Sequence, residues 1–124
     1  MQQNVLVVDD HPEIRGLMVE ILEKRGYQVS TASDGHDALT HFVLDRPDLV
    51  ITDLTMPGLD GYQLCRLIRG ISSVPVLVIS GQTGVEEKAY QMGANAFVSK
   101  PFDLEDLWAE IGELLLETSS PMIG

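Results

Sequence analysis

The stretch Val5-Leu6-Val7-Val8-Asp9-Asp10 decides how the rest of the chain is read. Four apolar residues, most of them β-branched, run without alternation and stop at two carboxylates. That is the pattern of a strand buried on both faces. His11-Pro12 follows and opens a helical pattern, with Ile14, Leu17, Met18, Ile21 and Leu22 recurring at spacings of three and four. Pro12 suits a first helical turn and Gly26 a C-terminal stop.

The same unit repeats along the chain. Tyr27 to Thr31 reads as a short strand, and Asp34-Gly35 starts a helix through Ala38, Leu39, Phe42 and Val43, with Pro47 just past its end. Leu49-Val50-Ile51 is a buried strand ending at Thr52-Asp53, and Met56 to Gly61 is a turn-rich loop. Tyr62, Leu64, Cys65, Leu67 and Ile68 mark a third helix. Val74 to Ile79 is a strand ending in Ser80-Gly81, with Pro75 tolerable near its start. Val85, Lys88, Ala89 and Met92 form a short helix stopped by Gly93. Ala96-Phe97-Val98 is the last strand, and Asp103 caps a helix carrying Leu104, Leu107, Trp108, Ile111, Leu114 and Leu115. Strand then helix, five times, specifies an α/β domain with a parallel sheet. Residues 1–117 read as the domain and 118–124 as a flexible tail or the start of a linker.

Composition narrows the class. A chain of 124 residues suits one domain. The single cysteine, Cys65, permits no internal disulfide and fits a reducing compartment; within an apolar stripe it reads as a small core residue. No apolar run approaches the roughly 20 residues that span a bilayer. Met1-Gln2-Gln3-Asn4 lacks the basic flank and apolar segment of an export signal. A net charge of −11 disfavours binding to a phosphate backbone by this chain.

The unusual polar residues collect at strand ends. Asp9 and Asp10 end the first strand, Asp53 the third, Ser80 the fourth and Lys100 the fifth. In an open parallel sheet, ligands bind outside the carboxyl ends of the strands. Carboxylates gathered there repel one another unless a cation sits among them or one holds a proton. Few protein ligands plus several waters suits Mg²⁺ better than Ca²⁺. The metal and Lys100 would neutralise anionic oxygens, and Ser80 would donate to one of them. Asp53 would then be an in-line nucleophile forming an aspartyl phosphate.

At this point the chain strongly resembles the receiver domain of two-component response regulators. The resemblance runs from about Asn4 to Leu116. It rests on Val-Leu-Val-Val-Asp9-Asp10, Asp53-Leu-Thr-Met-Pro57-Gly-Leu-Asp60-Gly61, Ser80-Gly81, Gly93-Ala94 and Ser99-Lys100-Pro101-Phe102. It implies a flavodoxin-like, doubly wound (βα)5 domain with strand order 2-1-3-4-5, the order the family is known for. It implies Asp53 as phosphoacceptor, Asp10 as direct Mg²⁺ ligand (Mn²⁺ being an alternative ion), and Asp9 acting mainly through water. Asp53 and the Thr55 carbonyl complete the protein ligands. Ser80 resembles the switch hydroxyl, Lys100 its cationic partner, and Phe97 the aromatic switch residue. The Lys100-Pro101 bond is expected cis. The implied partners are a histidine kinase or histidine phosphotransfer protein, and an effector docking on the face of the fourth helix, fifth strand and fifth helix. The domain is expected to be cytoplasmic, without membrane contact, and a monomer or weak dimer.

Other positions refine this reading. Thr55 and Gln82 should line the site entrance without charge, and Gly81 should leave it open to small donors. The fifth helix carries Asp103, Glu105, Asp106, Glu110, Glu113 and Glu117 but no Lys or Arg. Many DNA-binding regulators of this resemblance pair receivers through reciprocal salt bridges that need basic residues there. Such a dimer is therefore not expected here. His11, His36 and His41 read as ordinary surface histidines, with His11 placed to tune the field of the acidic pair. Rival classes fit less well. A haloacid-dehalogenase-type phosphatase needs a second Asp where Thr55 stands, and a flavin carrier needs a phosphate loop where Asp9-Asp10 stand. A phosphorylation-independent module has no need of the acid, hydroxyl and lysine set.

Overall fold

The computed structural model describes residues 2–119, with side chains through 115. Ten elements alternate strictly: β1 Asn4–Val8, α1 Pro12–Lys24, β2 Gln28–Ala32, α2 Gly35–Asp45, β3 Leu49–Asp53, α3 Gly61–Ile71, β4 Val76–Ser80, α4 Glu86–Gln91, β5 Ala96–Ser99 and α5 Leu104–Ser119. The strands form one parallel sheet of order β2-β1-β3-β4-β5. The parallel α/β sheet is what the strand-helix repeat predicts, and its doubly wound order is the one the receiver-domain resemblance implies. The order reverses between β1 and β3, so a crevice opens beyond their carboxyl ends.

Strand alternation divides the interior into two cores. Leu6, Val8, Val50, Val76 and Val78 pack with Ala38, Phe42, Leu64, Cys65, Ile68 and Ala89 of α2, α3 and α4. Val5, Val7, Leu49, Ile51, Leu77, Ile79 and Val98 pack with Met18 and Leu22 of α1 and Leu107, Ile111, Leu114 and Leu115 of α5. Both faces of the sheet are covered, which explains why its central strands read as unbroken apolar runs. Cys65 is a core residue, and burial pushes its thiol up to about 12.

The helix boundaries follow local chemistry. Asp34 accepts from the Asp37 amide at the start of α2, at 2.8 Å. Asp60 and Gln63 exchange bonds in a capping box at the start of α3. Gly26 ends α1 at φ +90°, a conformation that costs other residues a Cβ clash. Some expectations shift. Pro75 precedes β4 and leaves only its carbonyl in the ladder, accepting from Val50 N at 3.0 Å. α5 runs to Ser119, so Thr118 and Ser119 continue the helix; the rest of the expected tail, 120–124, lies outside the described residues. Leu17 of the α1 stripe is 54% exposed, and Val43 and Leu67 are also exposed. Their stripes are wider than the arc each helix lays on the sheet. Among the described residues no helix is long and apolar enough to cross a membrane.

Candidate functional site

Register places the acidic residues. β1 pairs with β3 up to Val8 opposite Thr52, so one further step sets Asp9 beside Asp53. β4 and β5 pair up to Ser80 opposite Ser99, and the next residue is Lys100. The sheet itself therefore carries these groups to one rim. The chain continues through Lys100-Pro101 as a cis peptide.

Asp53 is 8% exposed and Asp9 is 5% exposed. Asp53 Oδ1 accepts from the backbone amides of Leu54 at 2.7 Å and Thr55 at 3.3 Å. Its Oδ2 lies 3.3 Å from Lys100 Nζ, which is also 3.9 Å from Asp9 Oδ2. One ammonium thus faces two buried carboxylates. The Asp9 carbonyl accepts from Arg15 Nη1 at 2.7 Å, which ties the end of β1 to α1.

Asp9, Asp10, Asp53 and His11 each offer a ligand atom, all within 4.8 Å of one another. Asp10 Oδ1 is buried and has no hydrogen-bond partner. His11 Nδ1 lies 3.1 Å from it, close enough for attraction to a protonated imidazole but outside hydrogen-bond geometry. A buried, unpaired carboxylate oxygen is costly unless a cation takes it. The donor set therefore fits a dication with oxygen ligands. Below it lies a cavity of about 30 Å³, lined largely by apolar side chains such as Ile14, Met18 and Ile79. It is about the size of one water and offers no room for a metabolite.

Crowded carboxylates trade stability for ion binding. Asp10→Asn keeps the side-chain shape and removes one negative charge. In metal-free buffer it is expected to raise the melting temperature by roughly 3–5 °C, the equivalent of about 1 kcal/mol for a domain of this size. Stabilisation by added Mg²⁺ should disappear. Thermal melts with chelator and with Mg²⁺ check both; a lower melting temperature in chelator would contradict the repulsion.

Ser80 is 1% exposed at the end of β4, and its Oγ accepts from Gln82 N at 3.1 Å. Its own hydrogen stays available to donate. Gln82 Nε2 donates to Thr55 Oγ1 at 2.6 Å, joining the two uncharged positions at the entrance. A Cβ added to Gly81 would meet only Lys100 Cβ, at 3.7 Å, so that side is open. Phe97 is half-buried on β5 and packs against the α2–α4 core. His36 lies exposed on α2, and His41 pairs there with Asp45 at 2.9 Å. His11 is exposed, as read from the sequence, and its Nδ1 faces Asp9 and Asp10, a direction that only its position beside them hints at.

The profile of the response regulator receiver domain matches residues 5–112. The probable transcriptional regulator ycf27 of Cyanophora paradoxa is 39% identical over 124 residues, covering 98% of this chain and 52% of that protein. Response regulator MprA of Mycobacterium tuberculosis is 39% identical over 121 residues, covering 95% of this chain and 53% of that protein. The chain thus spans about half the length of these curated relatives. Among solved structures, response regulator TrrA of Thermotoga maritima, in complex with Mg²⁺ and BeF, matches with a TM-score of 0.85 and 32% identity. That match covers 93% of this chain and 100% of the other.

Proposed function

Because this chain belongs to the response regulator receiver domain family, the phosphorylation-activated switches of two-component signalling, we propose that Asp53 is its phosphoacceptor. As a receiver it is a signalling switch and not a metabolic enzyme. One observation carries the assignment. Asp53 is a nearly buried carboxylate with one oxygen fixed by two backbone amides and the other facing Lys100 at 3.3 Å.

Asp9, Asp10, Asp53 and the Thr55 carbonyl would hold Mg²⁺, or Mn²⁺ in its place. When bound, the dication supplies neutralisation of phosphoryl oxygens that the protein's own cations leave incomplete. An Asp53 oxygen attacks phosphorus while the bond from phosphorus to the donor breaks. The leaving group, a partner's histidine imidazole or a small acid, keeps the electron pair. Lys100 pairs with one anionic oxygen and the Ser80 hydroxyl donates to another. Hydrolysis by water at the Thr55–Gln82 entrance resets the switch slowly.

The new group brings about 1.5 to 2 negative charges to the ends of β4 and β5. Ser80 and Lys100 follow that charge, and Phe97 of β5 moves with them. The face made by α4, β5 and α5 is the output surface. The upstream partner is a histidine kinase or a histidine phosphotransfer protein. The relatives' greater length and the name of ycf27 support an effector segment that regulates transcription. The domain works in the cytoplasm.

Activation should leave this domain a monomer or a weak dimer. α5 carries acids and no Lys or Arg, so two copies meeting on that face bring like charges together. Sedimentation of the phosphorylated domain at moderate salt should show a monomer. A tight dimer buried on α5 would overturn this. The function itself is tested by intact mass after incubation with Mg²⁺ and a small phosphodonor. A single phosphoryl adduct, blocked by chelator, is expected; no adduct with Mg²⁺ binding intact would favour a phosphorylation-independent module.

A further inference from the structure

We propose that His11 is a metal ligand of the acidic pocket, tilting it from Mg²⁺ toward first-row transition dications. The inference rests on the reading that Asp9, Asp10 and Asp53 hold a dication.

His11 occupies the N-cap of α1 in extended conformation, at φ −93° and ψ 114°. An N-cap side chain ordinarily turns back to the first-turn amides. This one makes no such bond. Its ring turns the other way: Nδ1 makes a 3.1 Å hydrogen-bond contact with Asp9 Oδ1, which a bound metal would replace, and lies 3.1 Å from Asp10 Oδ1. Adjacent donors on an octahedral ion with bonds of about 2.1 Å stand roughly 3 Å apart. The imidazole nitrogen therefore stands from each of the two carboxylate oxygens at the spacing of a neighbouring ligand. The turn that holds them is fixed, since His11 N donates to Asp9 Oδ1 at 2.9 Å and Arg15 holds the Asp9 carbonyl at 2.7 Å. Asp10 Oδ1, the buried oxygen without a hydrogen bond, faces this nitrogen.

The donor type sets the selectivity. Mg²⁺ prefers carboxylate, carbonyl and water, and gains little from imidazole. Imidazole binds Ni²⁺ and Zn²⁺ well, and affinity rises along the first row toward Cu²⁺. A rival explanation is that His11 is an imidazolium counter-ion to the acids. Lys100 takes that part at Asp53 and Asp9 but not at Asp10, so affinity measurements must separate the two accounts. The two accounts predict opposite results. Removing a counter-ion tightens every dication, whereas removing a ligand weakens only those that used it.

The test is calorimetric titration of the chain with Ni²⁺ and, separately, with Mg²⁺. Because His41 stands between Asp37 and Asp45 on α2 and is a second place for Ni²⁺, the reference protein carries His36→Gln and His41→Gln. Adding His11→Gln is expected to lower the ratio of Ni²⁺ to Mg²⁺ affinity by about tenfold or more. Mg²⁺ affinity should stay the same or rise slightly. Electron paramagnetic resonance with Cu²⁺ gives a readout independent of affinity: nitrogen coupling in the reference, lost with His11→Gln. A ratio that does not change, or nitrogen coupling that persists in the variant, overturns the proposal. Failure of the reference to bind Mg²⁺ at all would instead overturn the pocket reading beneath it.

Discussion

Asp53→Asn is expected to abolish the phosphoryl adduct while leaving the fold intact. The amide keeps the carboxylate's shape, and its oxygen can still accept from Leu54 N and Thr55 N, the bonds that now orient Oδ1. What is lost is the negative charge that makes the oxygen a nucleophile and a metal donor. Lys100 loses its partner at 3.3 Å but keeps Asp9 at 3.9 Å. The adduct should fall by about a hundredfold or more by intact mass, since the neutral amide does not attack phosphorus. In metal-free buffer the variant should melt no lower than the wild type, because one of three mutually repelling acids has gone. An adduct of undiminished stoichiometry would move the acceptor to Asp9 or Asp10, and peptide mapping would say which.

The gathering of Asp9, Asp53 and Lys100 was legible in the sequence for a topological reason. Each residue ends a strand whose apolar run is unmistakable, and parallel register carries strand ends to one rim. Ser80, which ends β4, could be placed by the same logic; Thr55, two residues past the end of β3, was placed by the resemblance to receiver domains. His11 could not. Its neighbours along the chain are visible in the sequence, but the direction of its ring depends on the rigid turn between β1 and α1. That turn is set by the Arg15 bond to the Asp9 carbonyl and by the extended backbone of His11. Exposure of Leu17, Val43 and Leu67 was equally hidden. Periodicity reports which face of a helix is apolar, and only packing reports how wide a part of that face the sheet covers. The end of α5 was misplaced because Thr118 and Ser119 are weak helix formers, and a helix already anchored by Leu107, Ile111 and Leu114 overrides such local preference.

Gly61→Ala should produce the largest loss of stability, although the residue is a helix former's ordinary position and carries no chemistry. Its amide donates to the Leu54 carbonyl at 2.9 Å, drawing the first turn of α3 onto the end of β3. A Cβ there would overlap the Asp53 carbonyl oxygen and stand 2.7 Å from Leu54 Cα and 3.0 Å from Asp53 C. All three atoms are backbone, so no side chain can swing aside. Relief requires α3 to move off the strand or the Asp53-Leu54-Thr55 segment to shift. A cost of about 2–4 kcal/mol is expected, at or above the upper range of overpacked cores. Because the amides of Leu54 and Thr55 orient Asp53 Oδ1, the surviving folded protein should also phosphorylate more slowly. Gly70→Ala in the same helix is the control. Nothing lies within 4 Å of its added Cβ, and the exchange should stabilise by roughly 0.5–1 kcal/mol through helix propensity. Urea denaturation of both variants decides the matter. If Gly61→Ala unfolds within about 0.5 kcal/mol of the wild type, the size expected of a neutral surface change, then the close approach of α3 to β3 does not fix the phosphoacceptor's position.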